Sequence, residues 1–289
     1  AQSYPTRPIE MIVTWGPGGG ADVTGRMLAR LLEPELKVSI PVENVAGATG
    51  VTGLMKLVNG QAEGYQTAIV TADSYALLNA PGQRWSMRDL IPLAVLTQQR
   101  SGYFVKEDSP FKTWADVEKA AANSALKVAV TGLGSPDDLV TITIAKRKNL
   151  KLTSVPYAKP GERYAAVVGG HAELLYEQAG DVKSFIAGKQ MRPILFLAKE
   201  PVAPFEKVQT TKGIGLDLVA DQFRTVTIKA GTPPDRVKLL ADKIAKVTAS
   251  DEFKKYLVEQ WMDPKSVLLG DAASSYITRE LEGLSRLGK

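Results

Sequence analysis

Cysteine is absent from the 289 residues, which removes disulfides, thiolate nucleophiles and zinc–thiolate centres while leaving the redox compartment undetermined. Histidine is nearly absent too: the single one, His171, follows Gly169-Gly170 before a strand-like run and is expected in a surface turn, not at a catalytic centre. With so few nitrogen and sulfur ligands and no calcium-loop spacing, no metal site is expected. No run approaches the roughly 20 apolar residues that a membrane-spanning helix needs. Charge lacks clustering: the formal balance is +5, yet the longest basic run is Lys146-Arg147-Lys148. That excess favours anionic ligands, and its scatter argues against nucleic acid. Gly134-Ser135-Pro136 is no nucleophile elbow, and Gly20 and Gly25 lack the following Lys-Ser or Lys-Thr of a phosphate loop.

Glycine, in contrast, is concentrated where it matters. Gly16-Pro17-Gly18-Gly19-Gly20-Ala21-Asp22 and Ala46-Gly47-Ala48-Thr49-Gly50 each follow a strand-like run and precede a helix-like one. The run from Ile9 to Trp15 leads into the first turn, and Val23, Met27, Leu28, Leu31 and Leu32 repeat after it at helical spacing. Glycine permits positive φ and close approach to the main chain, and the start of a helix offers unpaired N–H groups and a positive dipole end. Two such turns make a cage for a carboxylate or phosphate.

A hydrophobic content of 44% supports a sizeable core, and the length suggests about two domains. Apolar runs alternate with helical patterns: Gln66–Val70, Ser74–Asn79 and Ile91–Leu96, then a second set from Tyr103 onward. That set has strands at 126–130, 152–156, 172–176 and 192–197, with helices at 139–146, 163–168 and 182–187, which reads as α/β with mainly parallel sheets. Beyond Thr232-Pro233-Pro234 the chain is helical, with Val237, Leu240, Ile244 and Val247 on one face and further segments at 252–261 and 272–284. These helices have no strands of their own, so the tail is expected to return to the first lobe. The boundaries are therefore 1–103 with 227–289, and 104–226, joined by hinge crossings near 101–105 and 225–229. The start, Ala1-Gln2-Ser3-Tyr4-Pro5, fits the remnant of a cleaved export signal.

The first turn also matches a G-x-G-x-x-A dinucleotide fingerprint at Gly16, Gly18 and Ala21, with Glu43 placed to hold a ribose. This makes a nucleotide-dependent oxidoreductase the rival reading. Pro17 within the turn and the second glycine turn directly after Glu43 fit it poorly, and no hydride-transfer acid or base is evident downstream. Asp137-Asp138 at a helix start read as caps and dipole partners more readily than as an acid–base pair.

Seven landmarks in order resemble the substrate-binding proteins of the tripartite tricarboxylate transporter system, the Bug or TctC family. They are Trp15 to Asp22, Val42 to Gly50, Gly64-Tyr65, Gly132-Leu133-Gly134-Ser135, Val155-Pro156-Tyr157, Gly169-Gly170 leading into Glu173-Leu174, and Ala230-Gly231-Thr232-Pro233-Pro234. The resemblance implies a two-lobed, type II-like periplasmic-binding-protein clamshell that holds a small organic carboxylate in its cleft and transforms nothing. It implies no cofactor, a periplasmic location, a monomer, and the membrane subunits of a transporter as partner.

Carried over by position, first-lobe contacts come from Trp15, Gly18, Gly19, Gly20, Ala21, Asp22, Ala48 and Thr49, with Asp73 beside them. Second-lobe contacts come from Thr131, Gly134, Ser135, Tyr157 and Glu177. Trp15 is expected as a cleft wall and Tyr157 as an aromatic wall with a polar tip. Asp22 is expected as a helix cap, while the Ser135 hydroxyl suits a ligand oxygen and a turn equally. The chain departs from the family pattern at Ala46 and Thr49, where proline and glycine are common, and at Pro136-Asp137-Asp138. If Asp137, Asp138 and Glu177 face the cleft, they favour an amine, a hydroxyl-rich tail or a neutral heterocycle; if they cap helices, a dicarboxylate is accommodated.

Overall fold

A computed structural model describes residues 3–289. Ala1 and Gln2, the beginning of the segment read as an export remnant, lie outside the described residues. In chain order the elements are β1 (Glu10–Val13), α1 (Gly20–Leu36), β2 (Val42–Asn44), α2 (Val51–Asn59), β3 (Gln66–Thr71), α3 (Ala72–Ala76) and β4 (Leu90–Lys106). There follow α4 (Trp114–Asn123), β5 (Leu126–Val130), α5 (Pro136–Lys148), β6 (Leu152–Pro156), α6 (Pro160–Val168), β7 (Leu174–Gln178), α7 (Lys183–Ala187), β8 (Met191–Phe196) and β9 (Gln209–Thr210). The chain ends with β10 (Asp221–Lys229), α8 (Pro234–Thr248), α9 (Asp251–Glu259), β11 (Leu268–Leu269) and α10 (Gly270–Leu284). Among the described residues no helix is long and apolar enough to cross a membrane.

The residues group into two compact units, one reaching Gln98 and resuming over Phe223–Glu282, the other comprising Gln99–Gln222 and Gly283–Lys289. The chain therefore changes unit inside two continuous strands, β4 and β10. The runs read separately as Ile91–Leu96 and a new set near Tyr103 are one 17-residue strand, although the residues between them, from Gln98 to Gly102, carry little β propensity. The end of the tail departs from its expected place. Leu287 packs on the core of the second unit, Gly288 donates its N–H to Thr143 Oγ1 at 2.9 Å, and Lys146 Nζ donates to Gly288 O at 3.2 Å.

In the first unit β1 lies between β2 and β3, parallel to both, with Ile12 opposite Glu43 and Ala68. β10 runs antiparallel to β3, and β11 antiparallel to β4. The period-two alternation of β1 assigns its faces. Met11 and Val13 pack with Leu28 and Leu32 of α1, Leu240 and Ile244 of α8, and Phe253 and Leu257 of α9. Ile12 joins Leu54 and Leu57 of α2, Tyr75 of α3, and Ala273 and Ile277 of α10. Helices thus cover both faces, as parallel strands require. Gly25 allows α1 its approach, since a Cβ there would sit 2.8 Å from the Val13 side chain.

In the second unit β5 is parallel to both β6 and β7, while β7 and β8 run antiparallel to β4. Val128 and Val130 face Trp114 and Val117 of α4 and Val140 and Ile144 of α5 in one buried cluster. Both sheets are mixed, each a parallel trio extended by antiparallel strands. The trio is the part that matters for a site, because loops at the carboxyl ends of parallel strands are where open α/β sheets bind ligands.

Candidate functional site

In the first unit the candidate residues gather at the carboxyl ends of β1, β2 and β3. After β1 the chain turns into α1, whose cap residue Gly19 is extended (φ −89°, ψ 175°). Gly18 sits at φ 85°, where L side chains are rarely tolerated. Asp22 Oδ2 accepts the Gly18 N–H at 3.0 Å, and Oδ1 accepts from Arg26 Nε at 3.0 Å and Asn44 Nδ2 at 2.9 Å. The acid therefore folds back on its own turn and its charge is met by Arg26, as the capping expectation requires. Asn44 Nδ2 also reaches Trp15 O at 2.9 Å, tying the end of β2 to the first turn. The N–H groups of Gly19, Gly20 and Ala21 have no hydrogen-bond partner among the described residues. They are the orphan donors that every helix start leaves.

The second turn is stranger. Gly47, Ala48, Thr49 and Gly50 all have positive φ, at 128°, 48°, 56° and 83°. Gly50 N–H closes the turn on Gly47 O at 3.0 Å, while the Gly47, Ala48 and Thr49 N–H groups have no partner among the described residues. Left-handed backbone costs a non-glycine residue about 1–2 kcal/mol, more awkwardly for β-branched threonine. Ser74 Oγ donates to Thr49 O at 3.1 Å and helps hold it there. A Cβ on Gly50 would meet the Ser74 and Thr14 side chains, so glycine is needed for space as well as for φ.

Trp15 and Asp73 are placed differently from expectation. Trp15 is 5% exposed and belongs to the core. Its indole Nε1 donates to Thr71 Oγ1 at 2.9 Å, and that hydroxyl donates to Asp73 Oδ2 at 2.9 Å. Asp73 is itself buried at 1%. The indole's only polar atom is thus satisfied from inside the unit.

The second unit repeats the location with another chemistry. Thr131, Gly134 and Ser135 follow β5, Tyr157 follows β6, and Glu177 is the last residue but one of β7. Asp137 Oδ2 accepts the Thr131 N–H at 3.0 Å, and Asp138 Oδ2 accepts the Gly134 N–H at 2.8 Å. Ser135 is the N-cap of α5, fully buried, its Oγ accepting the Asp138 N–H. Both aspartates lie in the first turn of α5 and reach back to the loop before it, and the donors of Thr131 and Gly134 are spent on them.

Glu177 is answered by a residue that motif reading missed. Arg163 Nη2 donates to Glu177 Oε2 at 2.9 Å, both side chains being at most 6% exposed. Nη1 donates to Tyr157 O at 2.8 Å, and Glu177 Oε1 accepts the Gln178 N–H at 3.1 Å. Burial acts against the guanidinium charge, but Glu177 prevails and holds Arg163 well above its ordinary pKa. Burial, aided by Glu177, likewise keeps the Tyr164 phenol well above its own. An isolated arginine in an otherwise ordinary helix pattern gives no local signal; only the fold brings it under β7.

Other readings find no support. Glu43, the ribose-holding candidate, is ion-paired with Lys56, which also binds Glu10 Oε1 at 2.6 Å. His171 is exposed in a turn. Among the described residues no group of three or more histidine or acidic residues could hold a metal. A groove of about 460 Å³ lies at the amino ends of β1 and β3, away from the glycine turns. Its Arg7 is paired with Glu63 at 3.3 Å and lies 3.7 Å over the Tyr65 ring, so its charges are met within it.

Comparison with known proteins agrees with this geometry. The chain is 27% identical to BugT of Bordetella pertussis, over 98% of this chain and 88% of that protein. It is 28% identical to a ligand-free TctC solute-binding protein from Polaromonas, covering 98% of each chain with a TM-score of 0.70. MatC of Rhodopseudomonas palustris, solved with bound malate, shares the fold at a TM-score of 0.88 and 17% identity, over 97% of this chain and 98% of that one. The family model of the tripartite tricarboxylate transporter family receptor matches residues 24–277. The chain belongs to that family of receptors.

Proposed function

We propose that this chain is a periplasmic receptor that captures a small organic carboxylate and delivers it to the membrane subunits of a transporter, acting as a monomer and without transforming the ligand. The observation that carries this reading is the set of unpartnered main-chain donors, Gly19 to Ala21 and Gly47 to Thr49, on two turns at the carboxyl ends of neighbouring strands. Fixed N–H dipoles at a helix start and in a tight turn suit an anion that lacks a matching cation. In the second unit, Asp137, Asp138 and Glu177 are all engaged internally. With these three acids so engaged, the reading favours a dicarboxylate over an amine-bearing ligand.

A thermal-shift screen over mono- and dicarboxylates tests the reading. A ligand at one hundred times its Kd is expected to add about 2.7 kcal/mol of stability. A well-folded sample that responds to no carboxylate, or one that co-purifies with a nucleotide, would overturn it.

A further inference from the structure

We infer that the end of the second unit where β5 and β6 begin is a docking surface for an anionic bilayer, held largely by cations that the fold leaves without an ion pair. This goes beyond the receptor reading and does not depend on it. The formal charge of the chain is unevenly shared. The first unit carries 17 Lys and Arg against 17 Asp and Glu, and the second 19 against 14, so the whole excess of +5 lies in the second.

Within that unit the topology gathers the excess. β5 and β6 are parallel neighbours, with Lys127 opposite Thr153. Leu126 N–H donates to Lys151 O at 2.9 Å and Lys151 N–H to Ala121 O at 2.8 Å, which brings the end of α4 and the start of β6 to the same edge. The last turn of α5 adds Lys146, Arg147 and Lys148, and Lys148 Nζ meets Glu118 Oε1 of α4 at 3.2 Å. Six cations, those three with Lys119, Lys127 and Lys151, thus stand against two acids, Glu118 and Glu173. Glu173 is itself turned to the Lys127 N–H, at 2.6 Å. Farther along the edge the charges balance, Lys106 and Lys189 against Glu107 and Asp108.

Structural duties account for only part of this. Cations in a last helical turn complement the negative end of its dipole, and Lys146 also donates to Gly288 O. Lys119, Lys127, Arg147 and Lys151 are exposed and make no ion pair among the described residues. The chemistry of the patch selects its occupant. Protein interfaces centre on apolar and aromatic side chains, favour arginine and are poor in lysine. Here five of the six cations are lysine, a flexible and strongly hydrated point charge, and the exposed large hydrophobics of this unit, Leu133 and Val219, lie elsewhere. A field of mobile headgroup charges suits such a patch, since each lysine meets a phosphate without a fixed partner geometry. Residues 131–135 and Tyr157 lie at the opposite ends of the same strands, so docking leaves them uncovered.

Co-sedimentation of the full chain with vesicles tests this. At about 0.05 M salt the parent chain is expected to sediment with vesicles of phosphatidylglycerol in phosphatidylcholine, to stay in solution with phosphatidylcholine alone, and to be released by about 0.3 M salt. Arg147→Gln with Lys151→Gln is expected to weaken binding by about twentyfold, roughly fivefold per charge. Lys254→Gln with Lys265→Gln removes the same charge from exposed positions of the first unit and is expected to change it by less than about twofold. Thermal melts check that both pairs fold as the parent does; if the first pair does not, Lys119→Gln with Lys127→Gln takes its place. Equal loss in both pairs, equal binding to neutral vesicles, or no sedimentation of the parent chain at low salt would overturn the surface. Binding to polyglutamate but not to vesicles would overturn it too and assign the patch to an acidic protein. No arm involves the glycine turns, so each outcome leaves the receptor reading as it stands.

Discussion

At the scale of single residues, the turn from Gly47 to Gly50 holds backbone strain at the place where the proposed function puts the ligand. Ala48 and Thr49 occupy left-handed backbone that alanine and threonine disfavour, and such outliers persist where the surroundings enforce them. Thr49→Gly is expected to raise unfolding stability by about 1 kcal/mol, read by chemical denaturation, while loosening the turn and lowering carboxylate affinity. A loss of stability would show that the threonine side chain contributes more than its backbone costs. The Arg163–Glu177 pair gives the opposite kind of test. Arg163→Met leaves a buried carboxylate unpaired and is expected to cost about 3–5 kcal/mol, whereas the double variant Arg163→Met with Glu177→Leu should recover most of it. No recovery in denaturant titrations would mean that the guanidinium acts mainly through Tyr157 O.

At the scale of elements, helix starts govern both units. Asp116 accepts the N–H groups of Thr113 at 2.8 Å and Lys112 at 2.7 Å at the start of α4. Those main-chain bonds, Thr113 first, hold its carboxyl below the ordinary 3.8. Because the folded pKa is the lower one, the contribution is present above the unfolded value and is lost as pH falls through the folded one. The stability gap between the parent chain and Asp116→Asn is therefore expected to be constant above about pH 5 and to shrink below about pH 4, followed by thermal melts across that range. The same elements show what the sequence makes legible. The strand–turn–helix at Gly16–Asp22 is readable because Gly18 takes a left-handed backbone that glycine tolerates best and because Leu28 and Leu32 of α1 recur at helical spacing. The partners of the acids are not readable: Asn44 reaches Asp22 across 22 positions and Arg163 reaches Glu177 across 14, separations that no local period encodes. The antiparallel pairing of β10 with β3 and of β4 with β7 and β8 escapes for the same reason, since alternation fixes which face is buried and not which neighbour is hydrogen-bonded.

At the scale of the whole molecule, the unbalanced charge has a role that neither turn supplies. A formal net charge of +5 and pI near 9.2 attract an anion over a distance set by the ionic strength, about 30 Å at 0.01 M salt and about 10 Å at 0.1 M. In the proposed receptor the final contacts are main-chain dipoles in a structured turn, screened far less by salt than exposed charges are. The two contributions separate kinetically: long-range attraction acts on the encounter, short-range donors on the lifetime of the complex. For a dicarboxylate, stopped-flow tryptophan fluorescence is expected to show an association rate that falls steadily between 0.01 and about 0.5 M salt, with dissociation nearly constant. A monocarboxylate of similar shape should show about half the salt dependence of the association rate, because its charge is half as large. If salt instead accelerates dissociation while leaving association unchanged, the ligand is held by exposed side-chain charges, and the main-chain cage of Gly19 to Ala21 and Gly47 to Thr49 is not the site.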